Sequence, residues 1–432
     1  MTINRGVIPN WAAGVDQTLS FKTHIFRAED GTEVRTATSL EPRVGWKFTA
    51  TMFNSKNTGD RFLPGRNDGS QQRVPDPVEK MKVVIQSGVF TVPSVTDANG
   101  DFGPKYSFED DDILYVAGHD FCEVVDVSIL ATSPSGVVYG VTLSNPPVNG
   151  THEVYLTRVV RHNTKGSSSL LTSRVAQRKV DLNMQPPLVR SYLMESDLEF
   201  PQYRGYPLFD FHHNWRVNPK HDISYEVRGL DTSYGLPFFR QVGQMVNEST
   251  FHVSVFTQAD AKTIMAQFIQ SRGRHAPFYA PMALPSVVLS EPAVEGLRLI
   301  RTDTPPEELA VWDMEILRNL VLEGPTRQPV GIVDIRADGS GSIIEFDDPV
   351  KPEAAGAMSV GWLAKCRFSN DELKIKWETN TKAEISFGVT ALIDSFHEIR
   401  MQGFRIMFNG NYVVFPSVEF PDATVTNKWD DE

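Results

Sequence analysis

Asn10-Trp11 returns as Asn214-Trp215, 204 residues further along the chain, and other segments return with it in the same order. Leu19-Ser20-Phe21 lines up with Ile223-Ser224-Tyr225 at that spacing, and the alternating Phe48–Phe53 with Phe251–Phe256 at 203. Val125-Asp126-Val127 matches Val333-Asp334-Ile335 at 208, and Arg161 matches Arg367 at 206. Apolar alternation recurs by chance, so no single match carries weight. Seven collinear matches do. A repeat at about half of the 432 residues requires two alike modules rather than one undivided fold.

Each unit reads as strands plus one helix. Thr257 is a good N-cap with Asp260 three residues later; Ala261, Ile264, Met265, Phe268 and Ile269 share a face, and Gly273 supplies the stop. This predicts a helix over 258–272. In the first half Asp76 reads as the cap, Pro77 as the first helical residue and Gly88 as the stop. Val78, Met81, Val84 and Ile85 supply the apolar face, which predicts a helix over 77–87. Ile85-Gln86-Ser87 then answers Ile269-Gln270-Ser271 at a spacing of 184, which implies about 20 extra residues in the first half, visible as the polar stretch Asn54–Pro75. A segment that long inside a compact unit reads as an interface loop. Strands at Phe90–Pro93 and Phe278–Pro281 are expected after the helices, with closing strands near Ser173–Leu182 and Thr381–Val389.

The expected fold is mainly β: two duplicated β-sandwich or barrel modules, each with one packed α-helix and a small inserted β module. The first module spans 1–184 with its insert at about 94–162. A linker rich in Pro and aromatic residues covers 185–207. The second module spans 208–395 with its insert at about 283–367, and a C-terminal hairpin and tail fill 396–432.

Candidates for chemistry are few. Fifty-four acidic residues against 42 basic ones give a net charge of −12, which argues against a dedicated nucleic-acid binder. Two cysteines, Cys122 and Cys366, make neither a disulfide framework nor a zinc site, and fit a chain folding in a reducing cytosol. No apolar h-region follows the first residues and no run approaches a membrane span, so neither a secretory signal nor membrane insertion is expected. No GxSxG, GxGxxG, P-loop or HExxH occurs; no enzyme activity, catalytic residue, cofactor or metal is expected. His212-His213 reads as a polar corner. Asp97–Asp101 resembles half a calcium loop, but Phe102 and Phe108 stand where Gly and Glu are needed. Glu109–Asp112 reads as a solvated acidic face. The candidate interface residues are cations: Lys56, Arg61, Arg66 and Arg73 in and beside the polar stretch, and Arg272 and Arg274 at the helix terminus, where they face either the helix dipole or an acidic neighbour.

Pro9-Asn10-Trp11, Asp30-Gly31-Thr32-Glu33-Val34-Arg35 and Pro42-Arg43 resemble the opening of tail-tip or baseplate proteins (distal tail or tail hub) of long-tailed bacteriophages. Ser271–Pro281 is similar to their Arg-Gly-Arg and aromatic-x-Pro segment after a helix, with Tyr279 where Trp is usual; Arg367–Asp371 with Ile375-Lys376-Trp377 is similar to their close. The resemblance covers most of the chain. It implies a structural virion protein, made in the bacterial host cytoplasm, that forms a ring joining the tail tube to the central spike or receptor-binding apparatus, with DNA passing only transiently through the lumen. Its partners would be copies of itself, the tail tube protein and other baseplate or spike proteins. Two modules per chain favour a trimer with pseudo-six-fold symmetry over a hexamer. Negative charge on the lumen would repel DNA phosphate. The alternative is a tail-associated adhesin or carbohydrate-binding protein using aromatics such as Tyr106, Tyr115 and Tyr139.

Overall fold

The computed structural model describes residues 3–4, 6–27, 33–39, 41–53, 72–96, 102–104, 112–133, 136–162, 168–172, 175–184, 200–211, 214, 216–230, 238–309, 317–324, 326–392, 400–402, 404–408 and 411–415. The chain is mainly β. Its frame is built from twelve strands and one long helix. The first half contributes β1 (Val15–Ser20), β2 (Arg43–Phe53), β3 (Gln72–Ile85), β4 (Gly150–His162), β5 (Ser168–Thr172) and β6 (Val175–Met184). The second contributes β7 (Lys220–Leu230), β8 (Phe238–Val255), α1 (Gln258–Gln270), β9 (Phe278–Pro281), β10 (Ser359–Phe368), β11 (Glu372–Trp377) and β12 (Ala383–Ala391).

The antiparallel ladders of the two halves keep one register. Leu19 faces Val44 between β1 and β2, and Ile223 faces Asn247 between β7 and β8, the same pair moved by 204 and 203 residues. Phe48 faces Val180, as Phe251 faces Phe387. Arg161 faces Asn183, as Arg367 faces Thr390. Thr157 faces Pro75, as Leu363 faces Pro281. Ser168 faces Arg178, as Ile375 faces Ile385. Even the irregularities correspond: register shifts fall between Val124 and Asp126 and between Ile332 and Asp334.

The Asn-Trp motif has a physical job in both places. Asn10 donates its backbone N–H to Thr49 and its side-chain amide to Thr51 Oγ1 at 3.2 Å, and accepts from Ala12 N–H. Asn214 donates to the His252 carbonyl and to Ser254 Oγ at 2.8 Å, and accepts from Arg216 N–H. Each asparagine pins the entry of its module to the same two positions of the second strand. Trp215 lies outside the described residues.

Two expectations fail here. Residues 77–87 are not a helix, and Phe90–Pro93 is not the counterpart of Phe278–Pro281. Gln72–Ile85 is a strand, and the shared register sets Gln72–Pro75 against Phe278–Pro281. The cap signal itself is genuine: Asp76 Oδ1 accepts from the N–H groups of Val78 and Glu79, as an N-cap would. The chain then resumes the ladder, because Met81, Val83 and Ile85 alternate inward with Lys82 and Val84 outward. Residues 54–71 therefore stand where the second half has α1 and its terminus, and are no 20-residue insertion. Their structure lies outside the described residues, as do Lys56, Arg61 and Arg66.

α1 forms where expected. Thr257 Oγ1 accepts from Asp260 N–H at 3.1 Å, and Ala261, Ile264, Met265, Phe268 and Ile269 are buried. Phe268 lies 5.7 Å from Phe21 of the first half and 5.1 Å from Phe368 of the second. One apolar core thus runs through both halves of the chain. The insert of the first half has its own core, which includes Met81, Ile85, Phe90, Val124, Val141 and Leu156, and so begins before residue 94. The corresponding strands of the second half pack into the main core, through residues such as Leu320, Ile335 and Ile344.

If each asparagine is a module pin, Asn10→Ala and Asn214→Ala should destabilise the protein by similar amounts, about 1–2 kcal/mol each for two lost side-chain hydrogen bonds. Denaturant unfolding of both variants measures this; a large effect from only one would mean that the two corners differ in role.

Candidate assembly interface

The sheet passes without a break from one half to the other. Its strands run β5-β6-β2-β1-β11-β12-β8-β7, each antiparallel to its neighbours. The junction is the β1–β11 ladder, from Val15 against Trp377 to Ser20 against Glu372. Val15, Gln17 and Leu19 are fully buried there, and Trp377 donates its indole N–H to Gln17 Oε1 at 2.7 Å.

Polar contacts secure the seam. Arg367 grips Glu33 with Nε at 2.8 Å and Nη2 at 3.0 Å, and both side chains are nearly buried. Burial alone would push the Glu33 carboxyl up, but the hydrogen bonding and charge of Arg367 hold it below the usual glutamate range. Asp371 accepts from Thr23 N–H at 2.6 Å and from Arg274 N–H at 3.0 Å, while the Arg274 guanidinium reaches the Thr23 carbonyl at 3.0 Å. Burial opposes ionisation of Asp371 too, and these donors and the Arg274 charge overcome it, so its carboxyl lies below the usual aspartate range. The motifs with Glu33, with Arg274 and with Arg367–Asp371, scattered in the sequence, meet at this one line. Beside it opens a polar cleft of about 650 Å³, lined by Ser20, Glu248, Arg274, Asp371, Glu372 and Lys374 among others.

The terminus of α1 feeds into the seam. Arg272 N–H bonds the Ile269 carbonyl and Gly273 N–H the Phe268 carbonyl, which is a Schellman closure. Arg272, not Gly273, occupies the left-handed position directly after the cap residue Ser271, with φ at +49°; Gly273 follows with φ at +63°. A Cβ on Gly273 would stand 2.7 Å from Asp371 Oδ1 and 3.2 Å from Phe21 Cβ. Here the chain must come close. Arg274 is thus committed to the seam, whereas the exposed Arg272 side chain makes no ion pair among the described residues.

Arg73 is also committed inward. It donates to Thr157 Oγ1 at 3.3 Å; burial lowers its pKa while Asp112 opposes that. Nearby, Arg158 Nε contacts Asp76 Oδ2 at 3.1 Å with both side chains buried. Burial pushes the Asp76 carboxyl up, and Glu79 adds to this against the Arg158 charge. Lys262 of α1 closes the cluster on Glu79 at 3.2 Å, tying the second module's helix to the first module's strand. Asp76 was read only as a helix cap, and Glu79, Arg158 and Lys262 escaped the sequence reading; a charged residue at an inward position, such as Glu79, was the available signal. His212, His213, Tyr106, Asp97–Asp101 and Glu109–Asp111 lie outside the described residues. Tyr115 is half-buried, packed 5.1 Å from Phe121 and 6.2 Å from Tyr155.

Two predictions follow from the seam. Gly273→Ala should cost more than the roughly 1 kcal/mol of a left-handed alanine, because Asp371 must also move, whereas Arg272→Gly should stabilise by about 0.5–1 kcal/mol in chemical unfolding. Glu33→Gln and Asp371→Asn should destabilise at neutral pH, Glu33→Gln by about 3 kcal/mol because a buried guanidinium loses its partner. Both carboxyl groups are held low, so their contribution is present above the ordinary carboxylate range and lost as pH falls through the lowered values. The gap between wild type and each variant should therefore close on acidification below about pH 4, and a gap constant from pH 7 to 3 would contradict the assignment.

No known protein-family model matches the chain, and no curated protein matches it either.

Proposed function

We propose that this chain is a structural ring protein of a bacteriophage tail tip, made of two duplicated modules, with three chains supplying six modules between the tail tube and the spike or receptor-binding apparatus. The observation that carries the reading is the β1–β11 junction. It joins two units of matching register edge to edge, and the order β5-β6-β2-β1 is followed by its counterpart β11-β12-β8-β7. A head-to-tail contact of this type closes into a ring when its rotation divides the circle, and otherwise runs on as a filament. The resemblance of the Glu33, Arg274 and Arg367–Asp371 motifs to tail-tip proteins supports the virion setting, since these residues hold the junction together. Light scattering on the purified protein tests the ring: three chains of 48.4 kDa give about 145 kDa, and six would support the hexamer instead. A stable monomer or a closed dimer would overturn the reading. Antibody against the chain should label particle tail ends in electron micrographs, and labelling of heads would overturn the tail assignment.

A further inference from the structure

The matching ladders let the outward faces of the two halves be compared position by position. In the first half Asp16, Lys47 and Asp181 form one row across β1, β2 and β6, each directly opposite the next, and the Lys47 ammonium lies 3.9 Å from the Asp181 carboxylate. The same row in the second half is Lys220, Thr250 and Gly388. The adjoining row changes the other way: Thr18, Gly45 and Asn183 correspond to Asp222, Glu248 and Thr390. Where the first half has a lysine on an aspartate, the second has a threonine and a glycine, with a carboxylate one row away.

The polar cleft of about 650 Å³ opens at these positions; Thr250, Gly388 and Glu248 all line it. A Cβ on Gly388 would stand 2.9 Å from Ser369 Oγ and 3.1 Å from Glu248 Oε1, so the Glu248 carboxylate lies close over bare backbone. The other charges of the cleft are committed. Arg274 is held by Asp371 and the Thr23 carbonyl, and Lys374 faces Glu372 at 3.9 Å. The Glu248 side chain makes no hydrogen bond or ion pair among the described residues. Asp222, directly opposite on β7, adds a second negative charge, and like charges so placed repel unless a cation intervenes. Lys220, in the row beyond, pairs with neither among the described residues. The Thr250 and Ser386 hydroxyls and the Asn370 amide also line the cleft without a side-chain hydrogen bond among the described residues.

We infer that this cleft binds a protonated alkylamine, whose ammonium does for Glu248 what Lys47 does for Asp181. An ammonium has three donors and no acceptor, which suits a carboxylate flanked by hydroxyl and amide oxygens. A carboxylate gives such a group a charge-assisted partner, and the cleft volume leaves room for the carbon chain behind it. A free polyamine and the lysine side chain of a partner protein present the same chemistry. The inference comes from the comparison of the two halves and does not rest on the ring.

Calorimetric titration of the full chain at low salt tests this with two probes, spermidine and N-acetyl-lysine methylamide. The expected result is saturable binding that Glu248→Gln weakens by about tenfold or more, with folding of the variant checked by circular dichroism. Binding of spermidine alone assigns the site to a free polyamine, and binding of the lysine derivative assigns it to a protein side chain. Thr250→Lys gives a second readout that needs no ligand, because it places the first half's lysine beside Glu248. It should block both probes and raise the melting temperature, and the rise should vanish when Glu248→Gln is also present. No saturable binding of either probe, or equal binding by wild type and Glu248→Gln, would overturn the site. An equal rise from Thr250→Lys with and without Glu248 would overturn the role of that carboxylate. Binding of calcium with which neither amine competes would overturn the ligand class.

Discussion

The β1–β11 ladder is the contact on which the remaining architecture depends. It joins the two halves of the chain into one continuous sheet, and it does so with a strand buried on its inward face and hydrogen-bonded on both edges. Val15 and Leu19 are fully buried there, each worth about 1.5–3 kcal/mol relative to exposure. Gln17 would be costly at such a place unless satisfied, and the Trp377 indole N–H satisfies it. With the sheets fused, Phe268 of α1 can pack against Phe21 from the other module, and Arg274 and Arg367 can find Thr23, Asp371 and Glu33.

What the sequence made legible was local or repeated. The cap at Thr257, the buried face of α1 and the matched asparagines were all readable, because each depends on residues a few positions apart or on comparison of the chain with itself. The strand at Gln72–Ile85 was misread because Asp76-Pro77 is a true capping element, and capping does not reveal whether a helix or a ladder follows. What settled it was β4, whose residues Gly150–Val160 pair along that strand. Taking the helix at face value also forced a false 20-residue insertion. At the interface, Glu33 and Arg367 lie 334 residues apart, and no spacing argument brings them together. Their motifs stood out in the sequence as resemblance alone; the geometry supplies a physical reason for those residue types, a nearly buried two-point ion pair and a carboxylate collecting backbone N–H groups.

The two halves differ in what surrounds their matching ladders. One insert carries a separate core around Ile85, Phe90 and Val141; the other has been absorbed into the main core. The stretch opposite α1 in the first half is a polar run of different composition. Under the proposed ring reading, such differences give alternate modules different outer faces, which a ring of lower true symmetry needs if it is to meet a six-fold neighbour on one side and a three-fold one on the other.

The edges left over differ from the joint already made. Inside the chain Trp377 and Ile375 meet Val15 and Gln17 in a dry interface. At the outer edges the counterparts of Trp377 and Ile375 are Leu170 and Ser168, and those of Val15 and Gln17 are Pro219 and His221. A serine, a histidine and a proline that cannot donate are polar or pairing-averse residues suited to the ends of a sheet. The internal ladder needs no such protection, because it forms while its two strands belong to one chain and their effective concentration is high.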